Sequence, residues 1–430
     1  MVKPTGPRLT LALVAIALVS YTFVLAPRLG LASRADPAEA GALPTAGAST
    51  PGVPAVFPPH NKSFIGVTTT EGTFNFAPVD AFTRATRHQS AVMMFSQGWA
   101  VHDFDRTAFD KVARRGMLPM LSWEPWNYRD DNVSKNGDHA AQPQYRSSRI
   151  AAGAFDDYVR SYAQGVKSLD YHVAIRFAHE MNGFWYPWGT NVNGNQTGDY
   201  VKMWRHVHDV FTSVGATNVT WVWSANVNFD NKTRLAALYP GDDYVDWIGL
   251  SGYYGTAGTQ GYRSPDSIFD ATLADLHTFS KRPIVITETA ATDTAGLKAQ
   301  WVRDFFQYLP KHADIIGFIW YEAVREADWR IASSQAASKA FAELAADPRY
   351  AVAWAPGLLP RTSVAVATPG PSQAPSGQPA SPAPSRTNST RPSPRGTRTP
   401  SRAPATPGNP RPTQTPSPPA DPAPTDSPSP

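Results

Sequence analysis

The chain has 430 residues, with 39 Lys and Arg against 35 Asp and Glu, and a formal net charge of +4. So small a charge over this length gives no reason to propose nucleic acid as a partner. Cysteine is absent, which excludes a disulfide framework, a thiolate nucleophile and a cysteine-based zinc site.

The first 34 residues have the pattern of an export signal. Lys3 and Arg8 precede an apolar run at residues 9–26, and a positive flank before such a run is retained on the cytoplasmic side. The run is longer than a usual signal-peptide core and near the lower limit for a membrane-spanning helix. Residues 1–34 are therefore either a cleaved signal peptide or an uncleaved membrane anchor. Both alternatives predict an extracellular protein, either secreted or tethered to the outer face of the cell membrane.

Two further segments lack the periodicity of helices and strands. Residues 35–60 are rich in Ala, Gly and Pro, and we predict a linker there. Residues 358–430 contain no aromatic side chain and are rich in Pro, Ser and Thr. Such a tail cannot bury enough apolar surface to offset its ordering entropy, so we predict a disordered spacer. A segment that threads a cell wall or carries sugars is the alternative.

Residues 61–357 are predicted to fold as an α/β domain, a (β/α)8 TIM barrel. Short apolar runs alternate there with longer amphipathic stretches, and several runs are apolar on both faces, as buried parallel strands are. The predicted strands are residues 64–70, 91–96, 117–123, 173–178, 219–225, 247–252, 284–288 and 315–321, and the predicted helices include residues 106–115, 149–169, 200–214, 264–280 and 297–309. An open, doubly wound sheet is the alternative. No glycine-rich phosphate loop follows the first strand, which weakens the nucleotide-binding version of that sheet.

Polar and aromatic side chains cluster where the predicted strands end. In a barrel these ends share one mouth, and function is located there. Glu180 follows the fourth predicted strand and Glu288 ends the seventh, so we expect the two carboxyl groups to face each other. Retaining glycoside hydrolysis needs two carboxyl groups about 5–5.5 Å apart, a nucleophile and a proton carrier. Tryptophan rings at the same ends would offer flat apolar platforms for sugar rings.

The segment RFAHEMNGFWYPWG at residues 176–189 resembles the fourth-strand signature of glycoside hydrolase family 26, the β-mannanase-like barrels. The resemblance covers about residues 61–350. It implies that Glu180 is the general acid/base and Glu288 the nucleophile. It also implies that the hydroxyl of a sixth-strand tyrosine bonds the nucleophile and that an eighth-strand tryptophan forms the floor under the reacting sugar. These two residues are Tyr253 and Trp320.

The resemblance further implies an activity, a substrate and the absence of cofactors. The first expectation is a retaining endo-β-glycosidase that hydrolyses β-1,4-mannan or a related hemicellulose by double displacement, without a metal or an organic cofactor. A β-1,3-1,4-glucanase or other endoglucanase of the same family is the nearest alternative. A membrane-anchored exopolysaccharide-processing protein and a non-catalytic glycan-binding protein are the others. The expected partner is a β-linked polysaccharide, and the expected oligomeric state is a monomer.

Several further side chains are candidates for binding or supporting the sugar chain. The substrate-binding candidates are His179, Asn182, Trp185, Trp188, Trp123 and Glu124. Arg176 lies inside the fourth strand and is expected to support the site by pairing with an acidic neighbour. Glu124 and Glu322 compete with Glu288 for the role of second carboxylate. A zinc site is not predicted at His179, because the second histidine of H-E-x-x-H is replaced by Gly183.

Overall fold

The computed structural model describes residues 55–130, 140–227, 234–256, 261–325 and 327–363. The predicted signal or anchor at residues 1–34, most of the predicted linker and nearly all of the predicted tail lie outside these residues. Within the described ranges, no helix has both the length and the apolar character needed to cross a membrane.

Eight parallel strands close into a barrel in chain order, which confirms the predicted fold. The barrel strands are β2 (Phe64–Thr68), β3 (Val92–Gly98), β4 (Leu118–Glu124), β5 (Val173–Phe177), β6 (Val219–Asn226), β7 (Trp247–Ser251), β8 (Ile284–Thr289) and β9 (Ile315–Tyr321). The first and last of these strands pair with each other, which excludes the open doubly wound sheet. Nearly every strand residue is buried, since one face lines the barrel interior and the other packs on helices.

Helices surround the barrel between its strands. They are α1 (Ala77–Thr86), α2 (Arg106–Ala113), α3 (Ser147–Ala151), α4 (Asp156–Lys167), α5 (Asp199–Val214), α6 (Pro265–Leu276), α7 (Lys298–Tyr308) and α8 (Gln335–Ala345). The single helix predicted over residues 149–169 is divided into α3 and α4. Gly153 lies between them with a φ of +86°, a left-handed conformation that interrupts a right-handed helix. Helices α1 and α8 are absent from the predicted set.

A two-stranded parallel sheet extends the folded domain beyond its predicted limits of 61 and 357. Strand β1 (Val56–Phe57) pairs with β10 (Leu359–Pro360), so structured residues lie inside both the predicted linker and the predicted tail. The Phe57 ring stacks on Phe64 at 5.5 Å, and the Trp247 indole donates a hydrogen bond to the Arg361 carbonyl at 2.8 Å. Both termini of the domain are thereby fixed to the amino end of the barrel, opposite its mouth.

The packing at the amino end of the barrel leaves no room for a side chain at position 317. A Cβ added to Gly317 would lie 2.5 Å from the Phe64 ring, and that ring is confined by Phe57 and by Trp247 at 6.0 Å. We therefore expect Gly317→Ala to lower the free energy of unfolding by about 1–3 kcal/mol through overpacking. Thermal unfolding of the two proteins checks this expectation, and an unchanged Tm would show that the Phe64 ring can move.

Candidate active site

Two carboxyl side chains lie at the mouth of the barrel, on β8 and directly after β5. Glu288 is part of β8, and Glu180 follows β5 in a tight turn. The Glu180 amide donates to the Ser224 carbonyl at 2.7 Å, and the Glu180 carbonyl accepts a bond from the Gly183 amide at 2.9 Å. Glu180 has a φ of +53°, a conformation that costs a non-glycine residue about 1–3 kcal/mol. The turn holds this strained backbone at the point where the carboxyl group enters the mouth.

The Glu288 carboxylate is held by two donors. Arg176 Nη1 donates to Oε1 at 2.5 Å, and the Tyr253 hydroxyl donates to Oε2 at 2.5 Å. The fully buried Arg176 also donates to the hydroxyl groups of Ser122 at 3.2 Å and Ser251 at 2.8 Å. Arg176 therefore pairs with an acidic neighbour, as predicted, and Tyr253 bonds the carboxylate that the resemblance assigns to it. Both contacts fix the position of the Glu288 carboxyl group.

The Glu180 carboxyl has a different environment. Trp185 Nε1 donates to its Oε2 at 2.9 Å, and the side chain is buried. Burial raises the pKa of Glu180, and the nearby Glu288 charge raises it further, while Arg176 and hydrogen bonds from Ser251 and Asn226 act in the opposite direction. The protonated form of Glu180 is thus favoured relative to an exposed glutamate.

His179 is enclosed by the protein on both sides of its ring. Its Nδ1 lies 3.2 Å from Ser122 Oγ, and its Nε2 lies 3.1 Å from the Tyr186 hydroxyl. Burial, with the Arg176 charge adding to it, lowers the pKa of His179 well below its usual value, so the ring is neutral. Both ring nitrogens have protein partners, which replaces the predicted substrate contact of His179 with a positioning role.

The Asn182 side chain also forms hydrogen bonds with the protein backbone. Its Nδ2 donates to the Asn226 carbonyl, and its Oδ1 accepts a bond from the Asn226 amide, both at 2.9 Å. This reciprocal pair fixes the backbone of Asn226, whose side chain bonds Glu180. The predicted direct contact of Asn182 with substrate is therefore replaced by support of the acid/base candidate through Asn226.

Three of the predicted sugar platforms are wrong, because Trp123, Trp188 and Trp320 are 0% exposed. Trp123 packs on Tyr162 of α4, and Trp320 packs on Phe341 of α8, so both rings belong to the layer between strands and helices. Side chains alternate in direction along a strand. The residues beside these two tryptophans therefore face the barrel interior.

Trp188 and Trp185 support side chains of the site. Trp188 stacks on the Tyr186 ring at 4.4 Å and donates from Nε1 to the His179 carbonyl at 2.6 Å. Trp185 is nearly buried, and its indole N–H is used on Glu180. Its role as a sugar platform stays a prediction.

The remaining acidic candidates are buried and differ in their partners. Glu124 ends β4 and accepts a hydrogen bond from Trp126 Nε1 at 2.9 Å, and burial raises its pKa to about 7. It lies close enough to Glu288 for that charge to raise its pKa further. Glu322 instead accepts a bond from the Ile331 amide at 2.8 Å and fixes the loop after β9. Glu322 is therefore a loop anchor and not a rival nucleophile.

Two aromatic residues that pack against Tyr253 were not among the predicted site residues. The Tyr253 ring lies 5.3 Å from Trp329 and 6.0 Å from Tyr321. Tyr321 follows the outward-facing Trp320, so strand alternation turns it toward the barrel interior. Trp329 lies in a loop with no periodic signal. Lys298 of α7 holds that loop, donating from Nζ to the Arg330 carbonyl at 2.6 Å.

A cavity lies beside the loop that carries Glu180. It has a volume of about 490 Å³ and is lined by Ala140, Ala141, Pro143, Arg146, Phe184, Val192 and Asn193. Phe184 packs edge-on against Trp185 at 5.3 Å, and Trp185 is the residue that bonds Glu180. In the part of the chain that the structure describes, no group of three or more His, Cys, Asp or Glu side chains is arranged to hold a metal ion.

The described residues thus form a closed (β/α)8 barrel with two carboxyl groups in different environments at its mouth. The model of glycosyl hydrolase family 26 matches residues 128–318. The matched segment contains both Glu180 and Glu288. The family resemblance predicted from residues 176–189 is therefore confirmed.

Relatives with several different activities match part of this chain. Endoglucanase H of Acetivibrio thermocellus is 35% identical over 243 residues, 54% of this chain and 25% of that protein. The β-1,3-xylanase TXYA of a Vibrio species is 28% identical over 242 residues, 52% of this chain and 49% of that protein. A mannan endo-1,4-β-mannosidase of Bacillus subtilis is 24% identical over 210 residues, 42% of this chain and 55% of that protein. The chain thus spans between a quarter and about half of the length of these curated relatives.

Solved structures agree on the fold. A GH26 β-mannanase from Bacteroides ovatus superposes with a TM-score of 0.50 at 18% identity, over 68% of this chain and 90% of that chain. At this identity, the likeness establishes the barrel architecture alone.

Proposed function

We propose that this chain is a retaining endo-β-glycosidase that hydrolyses β-1,4-mannan or a related hemicellulose. The observation that carries the proposal is the contrast between its two carboxyl groups. Glu288 accepts bonds from Arg176 and Tyr253, which hold its two oxygens in place for attack on a sugar carbon. Glu180 is buried and has a raised pKa, which favours the protonated form that a general acid needs.

The proposed mechanism is a double displacement. Glu288 Oε attacks the anomeric carbon while Glu180 protonates the departing glycosidic oxygen, and a covalent glycosyl-enzyme forms. Esterification removes the Glu288 charge, which is one of the causes that raise the pKa of Glu180. The pKa of Glu180 then falls, so its carboxylate can accept a proton from the water that attacks the intermediate. One carboxyl group thereby serves as acid and then as base.

The choice of polysaccharide has two candidates. Mannan comes first from the family resemblance and from the similarity to the mannan endo-1,4-β-mannosidase of Bacillus subtilis. A β-glucan is the second candidate, because a relative at 35% identity is named an endoglucanase. Mannose and glucose differ at one hydroxyl group, and a site distinguishes them through the polar contacts that it makes there.

The cavity beside Phe184 supports cleavage within a chain. Its volume of about 490 Å³ is within the range of ligand pockets in proteins. An endo-acting enzyme has to bind sugars on both sides of the scissile bond, and we propose that this cavity binds one of them.

The predicted export signal favours a polysaccharide partner that lies outside the cell. A positive flank at Lys3 and Arg8 and the apolar run that follows favour a protein that is secreted or tethered to the outer face of the cell membrane. We also propose that the protein is a monomer. A tethered protein would suit exopolysaccharide processing, and membrane fractionation distinguishes the two placements. A non-catalytic glycan-binding protein would have no need for the paired carboxyl groups.

The proposal is tested by a reducing-sugar assay of the full chain on mannan, glucomannan, mixed-linkage β-glucan, β-1,3-xylan and carboxymethylcellulose. We expect release from mannan or glucomannan, and β-glucan as the preferred polymer would select the second candidate. NMR of the first products should show retained anomeric configuration. No release from any of these polymers would contradict hydrolysis, and early inversion would contradict double displacement.

A further inference from the structure

A chain of hydrogen bonds runs from Arg176 to the mouth of the barrel through three buried or half-buried side chains. Arg176 Nη1 donates to Ser122 Oγ at 3.2 Å, Ser122 Oγ lies 3.2 Å from His179 Nδ1, and His179 Nε2 lies 3.1 Å from the Tyr186 hydroxyl. Neither Ser122 nor His179 is accessible enough to exchange these partners for water.

The positive charge of Arg176 determines which group is the donor and which is the acceptor in each of these hydrogen bonds. A guanidinium can only donate, so Ser122 Oγ accepts from Arg176. If His179 Nδ1 also donated to Ser122, the buried Ser122 proton would have no acceptor among the described residues, and an unsatisfied buried donor is unfavourable. Ser122 therefore donates to Nδ1. The neutral ring then carries its proton on Nε2 and donates it to the Tyr186 oxygen.

The Tyr186 hydroxyl proton is consequently left for a ligand. Its oxygen accepts the bond from His179, and no other described residue lies within hydrogen-bonding distance of the hydroxyl. The ring is fixed by stacking on Trp188 at 4.4 Å and by the edge of Trp126 at 5.4 Å. Burial raises the pKa of Tyr186, and the charges of the acidic groups at the mouth raise it further, so the phenol keeps its proton.

We propose that Tyr186 binds the substrate by donating a hydrogen bond to an oxygen of the sugar chain, and that His179 and Ser122 are the positioning residues that orient this donor. The ligand class is a β-linked glycan with a hydroxyl or ether oxygen facing the Glu180 side of the mouth. Tyr186 directly follows Trp185, whose indole N–H donates to Glu180 Oε2 at 2.9 Å, so the phenol belongs to the same loop as the proton donor. The assignment rests on the proposed glycosidase function.

The test compares Tyr186→Phe with Tyr171→Phe in the full chain. Tyr186→Phe removes the donor and keeps the ring that stacks on Trp188. Tyr171→Phe removes a hydroxyl that bonds Asp110 Oδ1 at 2.6 Å, in the segment before β5 and away from the mouth. On the polysaccharide that the parent hydrolyses best, we expect kcat/KM to fall about 5- to 20-fold for Tyr186→Phe, as for the loss of one hydrogen bond, and to stay unchanged for Tyr171→Phe. Equal values for the two variants would overturn the assignment.

A second measurement does not depend on activity. The ¹⁵N shifts of the His179 imidazole, assigned by comparison with His179→Gln, should show a neutral ring with its proton on Nε2. A proton on Nδ1 would contradict the proposed order of donors and acceptors in these hydrogen bonds, even if the protein hydrolysed a glycan. If none of the five polymers is hydrolysed, the proposed function fails, and the imidazole shifts still decide the orientation of Tyr186.

Discussion

Replacing Glu288 by alanine is expected to lower kcat on the preferred polysaccharide by a factor of about 100 or more, because no other group can form the glycosyl-enzyme. Glu180→Ala is expected to cause a loss of similar size on the polysaccharide, since its leaving oxygen has to be protonated. The two variants should differ on an aryl glycoside with an acidic phenol. That leaving group departs without a proton, so glycosylation survives in Glu180→Ala and fails in Glu288→Ala.

The control for both variants is Glu343→Ala. Glu343 is an exposed carboxylate of α8 whose charged partner is Lys339 at 3.9 Å, and its removal should leave kcat unchanged. Full activity in Glu180→Ala or Glu288→Ala on the polysaccharide would remove that residue from the mechanism.

Arg176 is expected to be the most sensitive residue among those that do not contact substrate. It is fully buried and joins Glu288, Ser122 and Ser251. Arg176→Lys cannot reach the three acceptors with one ammonium group, so we expect kcat to fall about 100-fold. Arg176→Met also removes the positive charge, which at present lowers the pKa of Glu180. The pKa of Glu180 should then rise.

The pH profile distinguishes the two Arg176 variants. Glu180 has to be protonated when the glycosidic bond breaks, so kcat/KM decreases as the pH rises through the pKa of Glu180. A higher pKa moves this alkaline limb to higher pH in Arg176→Met, and Arg176→Lys should keep it near its original position. A limb in the same place in both variants would show that Arg176 does not act on Glu180 by charge.

The order of strands and the positions of the two carboxyl groups were predictable from the sequence. Strands of a parallel barrel are buried on both faces, so β5 and β8 stand out as short, largely apolar runs. A carboxyl group directly after such a run has to lie at the mouth, which places Glu180 and Glu288 without knowledge of any tertiary contact.

The directions of the aromatic side chains were not predictable for the same reason. When both faces of a strand are apolar, the period of two that separates inside from outside carries no visible signal. Their positions at strand ends therefore predict that Trp123 and Trp320 face the mouth, although both pack against helices. Tyr321 and Trp329, which stand behind Tyr253, reach their places through strand alternation and a loop fixed by Lys298 and Glu322.

The sequence by itself determined the barrel, the family resemblance and the two carboxyl groups, because these depend on periodic burial and on a contiguous motif. Only the tertiary structure decided what the polar side chains of that motif do. Residues such as Arg176, His179 and Tyr186 are close in sequence, but their roles depend on Ser122 and Glu288 from other strands. Hydrogen-bond direction is a property of the complete network, and that network exists only after the barrel has closed.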